Sequence, residues 1–230
     1  VIAYGEHVRR FVARVRGRDD DVFVAPQSVE AELFARHVDP VEIVRFRRHH
    51  DLPDGPVALY VGRLVPEKGV DSLLEAWRAL DHHATLALIG DGPLADHVAD
   101  VPRAMLLGPR PRQELPVAYA TADFTILASV PTRRFREPWG LVCNEAMHQG
   151  KPVIASDAVG AVAGGLVRDD RNGLVIPAGD VEALKGAIDR LLADHTLREG
   201  LGARARLDVA PYNYDAMLDA FGHALESAAR

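Results

Sequence analysis

Val57-Ala58-Leu59-Tyr60-Val61, then Gly62-Arg63-Leu64-Val65-Pro66-Glu67-Lys68-Gly69, then Leu73, Leu74, Trp77 and Leu80 read in order as strand, loop and helix. The apolar run has no polar alternation, which suits a parallel strand covered on both faces. The four later residues share one face at the 3.6-residue helical period. The loop between them carries two cations. Arg63 can fork two phosphate oxygens and Lys68 can reach as a mobile point charge, which makes the loop a candidate diphosphate clamp; solvated loop charges are the plainer alternative. The chain has three lysines, Lys68, Lys151 and Lys185, among many arginines, so a lysine at 68 hints at a requirement.

The same alternation extends outward. Residues 85–89, 104–107, 124–127, 153–155 and 173–176 read as further strands, and 94–98, 113–120, 141–149 and 181–193 as helices, the last capped by Asp180. A strand at 1–4 and a helix presenting Val8, Phe11, Val12 and Val15 precede them. A helix over 211–229 follows Pro211, with Met217, Leu218, Phe221 and Leu225 as its apolar face. Strands alternating with helices predict an α/β fold, a Rossmann-like doubly wound parallel sheet. Such sheets bind ligands at the carboxyl ends of their strands, so the loops at Gly62, Gly90, Gly108 and 129–139 converge on one rim.

The last of those loops leads into Arg136-Glu137-Pro138-Trp139-Gly140-Leu141-Val142-Cys143-Asn144-Glu145-Ala146-Met147. A helix beginning near Gly140 presents unpaired N–H groups and the positive end of its dipole, which suits a phosphate. Carboxylates are poor partners for phosphate and good acceptors for hydroxyls. Glu137 and Glu145 beside an anion site therefore point to a ligand holding both phosphate and sugar. Surface acids compensating a helix dipole are the plainer reading.

These stretches together resemble the group 1 retaining glycosyltransferases, glycosyltransferase family four. The resemblance rests on Gly62-Arg63-Leu64 with Pro66-Glu67-Lys68-Gly69, on Gly90-Asp91-Gly92-Pro93-Leu94, and on Glu137 and Glu145. It continues through Gly150-Lys151-Pro152-Val153-Ile154-Ala155 and Asn172-Gly173-Leu174-Val175-Ile176-Pro177. It implies the C-terminal half of a two-domain GT-B glycosyltransferase. Residues 1–26 would be a remnant of the N-terminal domain and linker, 27–55 linker and leading helix, 56–210 the nucleotide-sugar-binding domain, and 211–230 a helix crossing back to the first domain. The implied activity is transfer of a glycosyl group, of the hexosyl type, from a nucleoside-diphosphate sugar to an acceptor hydroxyl with retention. The donor would be a UDP- or GDP-sugar, with no cofactor and no metal.

The resemblance also implies roles. Arg63 and Lys68 would hold the diphosphate and, with Glu137, form the catalytic set, and the amides around Gly140, Leu141 and Val142 would receive the distal phosphate. Glu137 and Trp139 would meet the transferred sugar, Glu145 the ribose, and Pro109 and Arg110 the base. The sequence departs from much of the family at Arg136 and Trp139, often Ser and Phe, and in the longer loop 132–136. The acceptor side would belong to the missing N-terminal domain, so this chain alone is expected to bind donor without turnover. Peripheral membrane association belongs to the same expectations for the intact protein.

Composition bounds the alternatives. With 230 residues and 48% apolar content the chain can build one substantial core. A net charge of −6 and low aromatic content give no reason to expect nucleic acid. No apolar run approaches the roughly 18 residues of a membrane span. The lone Cys143 excludes an internal disulfide and fits a cytoplasmic setting. His49-His50 and His82-His83 lack metal-ligand spacing. Three other functions stay open: an epimerase or hydrolase on the same fold, a nucleotide-binding module without activity, and, from the G-x-G-x-x-A match at Gly90 to Ala95, an NAD-dependent dehydrogenase.

Overall fold

The computed structural model describes residues 1–229; Arg230, the last residue of the expected 211–230 crossing segment, lies outside them. The chain opens with β1 (Ile2–Ala3), α1 (Glu6–Arg16) and β2 (Phe23–Val24), then α2 (Ala31–Phe34) and α3 (Pro40–His49). The main body follows as β3 (Val57–Val61), α4 (Val70–Arg78), β4 (Thr85–Ile89), β5 (Ala104–Leu106), α5 (Leu115–Thr121), β6 (Phe124–Leu127), α6 (Leu141–His148) and β7 (Val153–Ser156). It closes with α7 (Gly160–Ala163), β8 (Gly173–Ile176), α8 (Val181–Ala193), α9 (His195–Val209) and α10 (Tyr214–Ala228). β1 pairs with β2, and six parallel strands form one sheet in the order β5-β4-β3-β6-β7-β8.

The unbroken apolar reading of β3 has a direct cause. Val57, Leu59 and Val61 enter one core while Ala58 and Tyr60 enter the other, and β4 divides the same way. Leu73, Leu74 and Trp77 of α4 and Leu184, Ile188 and Leu191 of α8 cover one face. Tyr119 of α5, Cys143, Ala146 and Met147 of α6, and Ala205 and Val209 of α9 cover the other. Helices on both faces are the necessary counterpart of a sheet whose strands carry no polar side.

Several elements differ from the sequence reading. The 94–98 helix is a 3-10 turn, Ala95–Val98. The last helix begins at Tyr214 under an Asn213 cap, which accepts from the Ala216 amide at 2.9 Å. α9 was not expected. Its apolar periodicity is broken by Gly200, Gly202 and a buried Arg198 whose guanidinium donates to the carbonyls of Leu191 and Leu192. α10 returns toward the start of the chain, where Ser227 Oγ donates to Asp21 Oδ1 at 3.0 Å. Its Leu218 and Leu225 are 62% and 69% exposed.

Burial separates two leucines that share a helical pattern. Leu73→Ala, in the core, is expected to cost about 2–5 kcal/mol. Leu218→Ala is expected to stay within about 0.5 kcal/mol. Urea-unfolding midpoints check both, and equal losses would contradict this packing.

Candidate functional site

Strand order reverses between β3 and β6, because the chain passes from β3 outward to β4 and returns to β6 on the other side. The loops after these two strands therefore diverge and leave a crevice at the carboxyl edge. Both loops deliver charge into it. A 3-10 turn, Pro66–Lys68, aims Lys68 across the crevice, where its Nζ donates to Glu137 Oε2. Ser129 Oγ donates to the same oxygen at 3.0 Å. Glu137 is only 6% exposed and the Lys68 side chain 17%, so the pair is largely withdrawn from water. Val130 N donates to Glu67 O at 3.0 Å and fastens the two loops backbone to backbone. Arg63 stands outside this knot, exposed and 3.6 Å from Glu67.

α6 begins beside this pair. Gly140 precedes it with φ 89°, a left-handed conformation that favours glycine, and a Cβ there would lie 2.5 Å from Leu127 Cδ2, so another residue would be strained and would have to displace that side chain. No side chain caps the helix, and among the described residues nothing accepts from the amides of Leu141 and Val142. A cavity of about 350 Å³ joins Gly62, Arg63, Lys68, Glu137, Gly140, Leu141 and Val142. A second, about 240 Å³, shares Val61, Gly62 and Arg63 with it and ends at Gly90, Pro109 and Arg110. The candidate phosphate and base positions thus lie along one cleft.

Two expected residues sit differently. Trp139 contributes to the cavity wall but is 3% exposed; its indole N–H donates to Asn144 Oδ1 at 2.8 Å, and its ring lies against His7 and Tyr212. Glu145 lines neither cavity. One of its oxygens accepts from the Tyr119 hydroxyl at 2.6 Å, and burial pushes its carboxyl above the usual range. Arg110 donates through Nε to the Leu107 carbonyl at 3.0 Å, which pins the guanidinium to the end of β5. Ser129 and Tyr119 were not singled out in the sequence. Ser129 was within reach, since it opens the 129–139 loop, whereas nothing local marks Tyr119 as the partner of a residue 26 positions away.

The Gly90 stretch leads into a 3-10 turn and not a helix, so it lacks the helix N-terminus on which a dinucleotide's pyrophosphate rests. Among the described residues no group of three or more His, Cys, Asp or Glu side chains gathers as a metal site.

A parallel sheet with a cationic crevice at its switch point and a free helix N-terminus defines a class of nucleotide-binding α/β domains. The family described as "Glycosyl transferases group 1" matches residues 43–208, and the chain belongs to that family. It is 32% identical over 196 residues to the GDP-mannose-dependent alpha-(1-6)-phosphatidylinositol monomannoside mannosyltransferase of Mycolicibacterium smegmatis, covering 79% of this chain and 50% of that protein. It is 31% identical to the D-inositol 3-phosphate glycosyltransferase of Xylanimonas cellulosilytica, covering 93% and 54%. The chain spans about half the length of the curated relatives it matches. Among solved structures, Anabaena Alr3699/HepE in complex with UDP aligns with a TM-score of 0.85 at 24% identity, over 99% of this chain and 63% of that one. Sucrose-phosphate synthase from Thermosynechococcus elongatus aligns with a TM-score of 0.81 at 28% identity, over 99% and 58%. The fold is that of GT-B glycosyltransferases.

Two outcomes follow from the site's electrostatics. Lys68→Met strands a buried carboxylate and is expected to cost about 3 kcal/mol, most of it recovered when Glu137→Gln is added. A double variant no more stable than the single would remove the ion pair as the cause. Glu145 has a folded pKa raised above its ordinary 4.5, so the folded state holds the proton more tightly and stability falls as pH rises from about 4.5 through the folded value. Glu145→Gln is therefore expected to be more stable than the parent at neutral pH and no more stable near pH 4, read from urea midpoints at both.

Proposed function

We propose that this chain is the donor-binding half of a retaining glycosyltransferase that takes a nucleoside-diphosphate sugar, a UDP- or GDP-sugar, and passes the glycosyl group to an acceptor hydroxyl. The observation that carries the reading is the single cleft running from the open N-terminus of α6, past Lys68 and Arg63, to Pro109 and Arg110. Its support from relatives is a donor named for GDP-mannose in one and complexes with UDP or UDP-glucose in another.

The diphosphate lies against Arg63, Lys68 and the amides of Leu141 and Val142. These preformed charges and dipoles stabilise the negative charge that grows on the leaving diphosphate, and no divalent metal is required. When phosphate draws Lys68 away, Glu137 is released to accept from hydroxyls of the transferred sugar while Ser129 keeps it in place. Trp139 shapes the wall behind that sugar through packing. Glu145 gives one oxygen to Tyr119, and a ribose role for it requires the donor to reach beyond the two cavities, neither of which it lines. Turnover needs acceptor-side residues from the rest of the enzyme, and the setting is the cytoplasm. No helix among the described residues is long and apolar enough to cross a membrane.

Isothermal titration with UDP, GDP, ADP and NAD, with and without magnesium, tests the reading. Metal-independent binding of one nucleoside diphosphate is expected. Arg63→Ala and Lys68→Ala should each weaken it about tenfold or more while leaving the bare nucleoside nearly unaffected. Binding of NAD alone, or equal losses for nucleoside and diphosphate, would overturn it.

A further inference from the structure

Residues 131–136 form the outer part of the loop that leads to Glu137, and five of the six are exposed. Phe135 alone turns inward and is half-buried. Burial in a core does not account for this, because among the described residues Phe135 packs into neither of the two apolar clusters that cover the sheet. Its ring instead meets the ammonium of Lys68, with Nζ 5.5 Å from the ring centroid. That distance lies within the range over which the negative face of an aromatic ring attracts a cation.

The loop is built to put the ring there. Thr132 N donates to the Phe135 carbonyl at 2.8 Å, and Thr132 Oγ1 accepts from the Phe135 amide at 3.0 Å and from the Arg134 amide at 3.3 Å. These bonds close residues 132–135 into a turn that does not depend on Lys68. At the base of the turn, Val130 N donates to Glu67 O at 3.0 Å, so the loop is fastened to the residue directly before Lys68. Ring and ammonium are thereby set against each other from both backbones.

The two groups around Lys68 do different things to its charge. Glu137 accepts a hydrogen bond from Nζ and neutralises it. A ring attracts the ammonium without neutralising it and without taking the N–H that a phosphate oxygen needs. The ring can therefore keep its hold while the ammonium exchanges Glu137 for an anionic ligand. Lys68 and Glu137 line the cavity that ends at α6, and Phe135 does not, so any effect of the ring on a ligand there passes through Lys68.

We propose that Phe135 is a positioning residue for Lys68: its ring face holds the ammonium at the crevice and keeps it charged and directed for a diphosphate. The diphosphate part rests on the donor reading given above; the hold on Lys68 rests on the turn and the ring.

Two substitutions separate ring face from bulk, because Phe135→Leu keeps an apolar side chain and removes the face, whereas Phe135→Tyr keeps it. Titration of the whole chain with UDP or GDP, whichever the parent binds, and with the matching nucleoside gives the first reading. Phe135→Leu is expected to weaken the diphosphate about fivefold and to leave the nucleoside unchanged, while Phe135→Tyr stays within about twofold of the parent. A diphosphate affinity unmoved by Phe135→Leu, an equal loss for the nucleoside, or a Tyr variant as weak as the Leu variant overturns the proposal. The second reading needs no ligand. Phe135→Leu is expected to lower the urea midpoint of the parent and to leave unchanged that of a chain carrying Lys68→Met and Glu137→Gln, in which the ring has no cation to hold. A loss of the same size in both chains overturns the contact. Should no nucleoside diphosphate bind the parent, the donor reading falls, and the urea comparison still decides whether the ring holds Lys68.

Discussion

The contact between Lys68 and Glu137 joins the loop after β3 to the loop after β6 across the point where the sheet changes direction. Parallel topology forces those loops apart, and a crevice with nothing across it would leave both free to move. An ion pair withdrawn from water closes the gap, reinforced by Ser129 and by the backbone bond from Val130 to Glu67. Taking two charges out of water is costly, and their attraction returns that cost only when the geometry holds. The pair is better understood as fixing positions than as a source of stability. It holds a cation and a carboxylate at the crevice, each neutralised by the other.

The same arrangement explains why the site is assembled from loop backbone as much as from side chains. The amides of Leu141 and Val142 are free because Gly140 takes a left-handed turn directly above β6, leaving α6 uncapped and pointed at the crevice. Gly90 lies so close to the Gly62 carbonyl that a Cβ would fall 1.8 Å from its oxygen, which keeps the ends of β3 and β4 in one plane. The result is a rim whose dipoles require little rearrangement on binding, the preorganisation from which electrostatic catalysis draws its strength.

Much of this was legible because the sheet is covered on both sides. β3, β4, β6, β8 and α8 lie where apolar runs and caps place them, since no solvent face dilutes the signal. α9 escaped because it packs chiefly against α6 and only in part against α8 and β8, with glycines and a buried arginine where a simple amphipathic helix would have leucines. At the site, residue types and spacing located Arg63, Lys68, Glu137 and Gly140 at one crevice, but not who holds whom. A carboxylate's partner depends on packing between distant segments: Tyr119 meets Glu145 because α5 and α6 lie side by side, and Asn144 meets the Trp139 indole while its amide reaches back to the Gln27 carbonyl. The family resemblance gave the indole a sugar contact. Its burial follows instead from His7 and Tyr212, which bring α1 and the approach to α10 against it.

Those partners also bear on how the two carboxylates divide their work. In glycosidases a pair of acids flanks one bond, one donating a proton and the other attacking carbon. Here Glu137 carries an ammonium and a hydroxyl on the same oxygen. Glu145 is held by a phenol and lines neither cavity. Two acids with separate partners are suited to separate tasks of orientation. In the proposed reading, the chemistry is left to the charges around the leaving phosphate.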